Sequence, residues 1–151
     1  MKNIIISMVT LLTLSGCAVI KAPIQSNEEV TYLTSGSSSL PFSEAVKVGS
    51  TLYLSGQIGL VPGTGKLAQG GIEAETKQTM DNIVSVLNKY DYNINDVVKC
   101  AVMLTNIKEW PDFNKVYRPY FEKHFPARSA FAASGLALNA KVEVECIAVK
   151  Q

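Results

Sequence analysis

The 151-residue chain has one histidine, one tryptophan and three cysteines. A single histidine cannot build a His-rich metal site, and Cys17, Cys100 and Cys146 lack metal-ligand spacing. No metal is therefore expected. No Gly-Xaa-Gly-Xaa-Xaa-Gly element and no phosphate loop occurs, which removes the common nucleotide fingerprints. A Gly-Xaa-Ser-Xaa-Gly elbow is also missing, and no base is evident that would activate a serine or cysteine nucleophile. Charge of one sign is not in excess: 14 basic against 13 acidic residues leave a formal +1. Nucleic-acid surfaces cluster Lys and Arg to neutralise phosphates, so no nucleic-acid partner is expected.

What is present begins at the N-terminus. Lys2 precedes an apolar run from Ile4 to Leu14, diluted by Ser7, Thr10 and Thr13. The run is too short to span a bilayer. It has the layout of a secretory signal, with Ser15-Gly16 directly before Cys17. It resembles the bacterial lipobox, in which the cysteine receives lipid and becomes the new first residue. That resemblance implies a signal peptide over 1–16, a lipid-anchored tether over 17–39 and a folded domain over 40–151. The residue after the cysteine is Ala18 and not Asp, which by the same resemblance points to the outer membrane. The expected location is the bacterial periplasm, or the cytoplasm if the signal is not used. Ala18 to Ser39 reads as polar and irregular, suited to a tether. Cys100 and Cys146 lie in strand-like segments and read as buried free thiols.

Periodicity orders the rest as β-β-α-β-α-β-β. Ala45–Val48 and Thr51–Leu54 flank Gly49-Ser50 as a hairpin. From Glu73 to Tyr90, Thr76, Met80, Ile83, Val84 and Leu87 recur at helical spacing. Glu73 and Glu75 lie in its first turn, where they favour the helix dipole. Val97 to Thr105 reads as a strand after an Asn93–Asp96 loop. A second helix is expected from Asp112 to His124, with apolar Phe113, Val116, Tyr117, Tyr120 and Phe121, and with Pro119 kinking or weakening it. Ser129 to Ala133 and Lys141 to Val149 complete the strands. In the last, Val142, Val144, Cys146 and Ala148 alternate with Glu143, Glu145, Ile147 and Val149. Two helices on one face of a mixed sheet would bury a core, and the partly apolar other face needs a subunit to cover it.

Two charged positions stand out. Arg128 follows Phe125-Pro126-Ala127 at the start of a strand and could present a planar fork to a carboxylate; it reads equally as a surface arginine. Glu143 interrupts an apolar strand, but Glu145 shares its face, and spacing alone does not choose between them. His124 reads as a helix-end or packing residue.

Ser55-Gly56-Gln57-Ile58-Gly59, Gly71 to Thr76, Asp81-Asn82-Ile83, Asn114-Lys115-Val116-Tyr117, Phe125-Pro126-Ala127-Arg128-Ser129 and Val142-Glu143-Val144-Glu145 occur in that order. Over Phe42 to Val149 the chain resembles the RidA/YjgF family. The resemblance implies a chorismate-mutase-like α/β domain with two helices on one face, in a homotrimeric, barrel-like assembly with clefts between subunits. It implies a hydrolase that converts 2-imino or enamino acids to 2-oxo acids and ammonia without a cofactor. Carried over residue by residue, Arg128 binds the substrate carboxylate and Glu143 positions or activates water. Asn114 lies near the cleft, and Ser55, Gly56 and Gln57 line its wall.

Departures from the family pattern are local. Leu40-Pro41-Phe42 stands where the family commonly has Gly-Pro-Tyr, and Phe42 cannot donate a hydrogen bond to substrate. Ala130 stands where the deaminase subgroup often has Cys, and Leu136-Ala137 where it has Leu-Pro. The alternative function is a non-catalytic trimer of the cell envelope that binds small carboxylates or another protein. The anchor is checked by fractionation. Cys17→Ser should move the protein from membranes to the soluble fraction, and an unchanged distribution excludes Cys17 as the anchor.

Overall fold

The computed structural model describes residues 28–34 and 40–150. The signal segment 1–16, Cys17 and most of the stretch 17–39 lie outside the described residues, as does Gln151.

A continuous antiparallel path starts with β1 (Val30–Leu33), β2 (Ala45–Val48) and β3 (Thr51–Leu54). Gly49, at φ 55°, makes the β2–β3 turn, a backbone conformation that favours glycine. Short strands β4 (Gln57–Ile58), β5 (Leu60–Val61) and β6 (Lys66–Leu67) follow. Helix α1 (Gly71–Lys89) leads to β7 (Val97–Leu104), then α2 (Trp110–Tyr117), β8 (Ala127–Ala132) and β9 (Val142–Val149). The main sheet runs β1-β2-β3-β9-β7-β8, with β4 also paired to β9. Among the described strands only β7 and β8 pair in parallel, so the expected mixed sheet is present.

Both helices lie on one face. Thr76, Met80, Ile83 and Leu87 are fully buried, as the spacing predicts, and Val86 rather than Val84 completes the stripe. Each large apolar side chain among them contributes about 1.5–3 kcal/mol by leaving water. Against them the sheet presents Leu52, Leu54, Val102, Leu104, Val142 and Val144. The opposite face carries Tyr53, Ala101, Met103, Phe131, Glu143, Glu145 and Ile147. Tyr53 and Phe131 are exposed there.

Four expectations need correction. Val30–Leu33 is not irregular: it pairs with β2, because its alternating Val, Thr and Tyr suit an edge strand. The second helix does not reach His124. It starts at Trp110 and ends at Tyr117, after which Arg118–Tyr120 form a tighter turn containing Pro119, which cannot supply an N–H to a longer helix. His124 is exposed beyond that turn. Glu75 is not in the first turn, because α1 begins at Gly71; it is buried, and its Oε2 accepts the Lys141 backbone N–H at 2.7 Å.

The fourth concerns the cysteines. Cys100 and Cys146 form a disulfide and are not free thiols. The β7–β9 register sets them directly opposite each other, with Cα atoms 4.2 Å apart. Cross-strand neighbours that share a face come this close only at non-hydrogen-bonded pairs, and nothing local in the sequence reveals the register. The bridge closes a sequence separation of 46 residues inside the core. Reduction should therefore destabilise the fold by about 2–4 kcal/mol, with a fall in Tm on the order of 10 °C. Thermal unfolding with and without reductant tests this; alkylation of both cysteines in unreduced, denatured protein would show that the bridge is not formed.

Candidate functional site

Sheet register divides the predicted site residues into two groups. Arg128 opposes Cys100 on β7, so its side chain lies on the helix face with Ala130. Glu143 alternates with buried Val142 and Val144 and points to the other face.

On the helix face, α2 builds the surroundings of Arg128. Trp110, Phe113, Asn114 and Tyr117 recur at helical spacing and so share one side of α2. The Arg128 guanidinium lies 4.7 Å from the Trp110 ring centre, 4.8 Å from Tyr117 and 5.7 Å from Phe113. Each ring face attracts a cation, by about 0.5–1 kcal/mol at exposed sites and more where water is excluded. Arg128 Nη1 donates to Asn114 Oδ1 at 2.9 Å. Among the described residues the guanidinium has no carboxylate partner. It is held in place, and its remaining donors are available to an anion.

A cavity of about 430 Å³ opens at this point, lined by Asn114, Tyr117, Arg118, Phe125, Pro126 and Arg128. The Tyr117 hydroxyl is buried beside the Arg128 guanidinium. Burial pushes its pKa up to about 12, although the Arg128 charge acts the other way. At neutral pH it is a neutral phenol.

On the other face, Ser55, Gly56 and Gln57 come to Glu143 through β4, where Gln57 pairs with Val144 and Ile58 with Glu143. Glu143 lies over Gly56 so closely that a Cβ there would displace its carboxylate. Ser55 Oγ donates to the Ser43 carbonyl at 2.6 Å, and Asn82 Nδ2 donates to the carbonyls of Ile58 and Leu60 at 3.0 and 2.9 Å. Asn82 thereby fastens the segment carrying Gly56 to α1. The start of β9 is fastened too, by Glu75 as above and by Lys141 Nζ to Glu109 Oε1 at 3.0 Å. Phe42 is exposed on the segment before β2.

Burial, with the Glu145 charge adding to it, raises the Glu143 pKa above its ordinary 4.5. This separates two carboxylates that spacing alone does not rank: Glu143 is partly buried and Glu145 is exposed. The aromatic surroundings of Arg128 were missed as a unit. The Trp110–Asn114 spacing of four would have signalled them, but only with α2 beginning two residues earlier than its proline pattern suggests.

The chain is thus an α/β sheet with both helices on one face and a ring-lined arginine on its edge strand. The chain belongs to the endoribonuclease L-PSP family, whose profile matches residues 34–150. It is 41% identical over 110 residues to the bovine 2-iminobutanoate/2-iminopropanoate deaminase, covering 73% of this chain and 80% of that protein. Its fold is similar to that of YyfA of the Rid protein family from Yersinia pestis, at a TM-score of 0.76 and 35% identity. That match covers 81% of this chain and 100% of the other. RidA from an Antarctic Psychrobacter aligns at a TM-score of 0.71 and 31% identity, over 83% of this chain and 100% of that one. The RidA/YjgF resemblance and the α/β fold expected from the sequence are borne out.

The raised Glu143 pKa has a consequence for stability. The folded state keeps this carboxyl protonated to higher pH than the unfolded chain does, so its stabilising contribution is present below 4.5 and lost as pH rises through the folded value. Glu143→Gln should then raise Tm relative to the unsubstituted protein at pH 7. The two should converge below pH 4.5, in melts recorded across pH. An equal Tm at pH 7 would mean that the carboxylate is fully solvated.

Proposed function

We propose that this protein hydrolyses 2-imino acids, of the 2-iminobutanoate and 2-iminopropanoate kind, to 2-oxo acids and ammonia. The observation that carries the reading is the Arg128 guanidinium, lodged among three rings and Asn114 with no carboxylate of its own. It is prepared for a substrate carboxylate, to which it offers two parallel hydrogen bonds. The deaminase named among the relatives acts on substrates of this class.

Arg128 and Glu143 point to opposite faces of one sheet, so one copy of the chain does not bring them to one substrate. This supports a homotrimer in which Arg128 and Asn114 of one subunit meet Glu143, Ser55, Gly56, Gln57 and Phe42 of the next. The apolar open face, with Tyr53, Phe131 and Ile147, supplies surface for such an assembly. Glu143 orients a water and accepts its proton as oxygen attacks the imine carbon. Proton transfer to nitrogen and breakage of the C–N bond then release ammonia and leave the 2-oxo acid. Its raised pKa makes it a better proton acceptor than an ordinary carboxylate. Holding substrate and water together does much of the remaining work, because an imine carbon is already electrophilic. Phe42, in place of the family tyrosine, removes one hydroxyl from the cleft and favours apolar contact with the substrate.

The envelope location, with lipid on Cys17, belongs to the same proposal. A disulfide between two buried cysteines fits an oxidising compartment. Among the described residues no helix is long and apolar enough to cross a membrane, so the lipid would carry the attachment.

The test generates the imino acid in situ with an amino-acid oxidase and follows 2-oxo acid release. Arg128→Ala should lower kcat/KM roughly 100-fold, the loss expected for two charge-assisted hydrogen bonds. Wild-type rates in an Arg128→Ala protein that still sediments as a trimer would refute the assignment.

A further inference from the structure

Arg128 is not alone in its cavity. Arg118 lines the same space, and the lining contains no carboxylate. Among the described residues neither guanidinium forms a salt bridge. Two uncompensated cations therefore face one cavity that a single substrate carboxylate would only half neutralise. Like charges kept together without counter-charge repel each other, and the arrangement persists at least cost when an anion with two charges occupies it.

Arg118 is exposed on the cavity rim, where the end of α2 and one ring place it. Pro119 ends α2 directly after Tyr117 and Arg118, so Arg118 emerges at the helix terminus on the cavity rim. Its guanidinium lies 5.7 Å from the ring centre of Phe125, and that ring rests against buried Phe121 at 6.3 Å. Stacking on a ring fixes the plane of a guanidinium and leaves its edge N–H groups free for a ligand. Buried Tyr117 closes the inner wall of the cavity beside the two cations. A cavity of about 430 Å³ has room for more than a four-carbon mono-acid.

From these features we infer that Arg118 is a specificity residue, and that the preferred substrates are 2-imino dicarboxylic acids. Arg128 holds the carboxylate beside the imine, and Arg118 holds the one at the far end of the side chain. The reaction is the one already described: water adds across C=N, oxygen to C2 and a proton to nitrogen. The C–N bond then breaks to give ammonia and a 2-oxo dicarboxylic acid. A reaction that oxidises an acidic amino acid at its α-carbon would supply such an imine. The inference rests on the deaminase reading, and its test separates the two.

The experiment compares kcat/KM for 2-iminosuccinate and 2-iminobutanoate, each made in situ by a flavin oxidase, on the full-length protein. The ratio should favour the dicarboxylate. Arg118→Gln should lower that ratio about tenfold, the loss of one charge-assisted hydrogen bond, and Arg118→Lys should recover part of it. A ratio unchanged in Arg118→Gln overturns the inference. So does weakened trimer association in that variant with the ratio intact, which would assign Arg118 to an acidic residue of a neighbouring subunit. If neither imine is turned over, the deaminase reading fails and calorimetry decides the site by itself. About tenfold tighter binding of 2-oxoglutarate than of 2-oxobutanoate, erased by Arg118→Gln, upholds the two-arginine site; equal affinities overturn it.

Discussion

Strand β9 hydrogen-bonds to β3, β4 and β7, and every second residue of it faces the helices. Val142, Val144, Cys146 and Ala148 are buried there, while Glu143, Glu145, Ile147 and Val149 face away. A slip of one residue would turn two glutamates into the core and four small apolar groups into water. Desolvating unpaired carboxylates costs far more than the slip could recover, so the register is held firmly. The position of Glu143 over Gly56, the pairing of Cys100 with Cys146 and the place of Arg128 all follow from that alignment.

Arg128 meets the opposite problem. Its charge lies on the helix side of the sheet, where a guanidinium loses part of its hydration. Trp110, Phe113 and Tyr117 replace some of that hydration with ring faces, and Asn114 accepts one of its five N–H groups. Among the described residues no carboxylate matches its charge. An unmatched, pre-oriented cation in a concave site is the arrangement by which a protein reserves binding free energy for an anionic ligand. The rigidity comes from below: the next strand in the same row carries the disulfide to β9, and the helix above is tied to the start of β9 through Glu109 and Lys141.

Separation of Arg128 and Glu143 onto different faces also sets what a single chain can do. In the proposed reaction each face would supply half of the site, one half for a carboxylate and the other for a proton. Assembly would then serve the chemistry as well as cover Tyr53 and Phe131.

Much of this was legible in the chain itself, because short-range patterns are local consequences of helix and strand geometry. The stripe through Thr76, Met80, Ile83 and Leu87 gave α1, Gly49-Ser50 gave the hairpin, and the alternation from Val142 to Val149 gave β9 and its two faces. The order of motifs pointed to the family and to Arg128 and Glu143. What stayed hidden depends on residues far apart in sequence meeting in space. The disulfide needed the β7–β9 register. The preference for Glu143 over Glu145 as the perturbed carboxyl needed their unequal burial. The rings around Arg128 needed the true start of α2. Glu75 reads as a first-turn acid, yet it turns inward to hold the backbone of Lys141. Periodicity fixes which face of an element is apolar, but the partner that face meets, and hence the environment of each charge, is decided only when the elements pack.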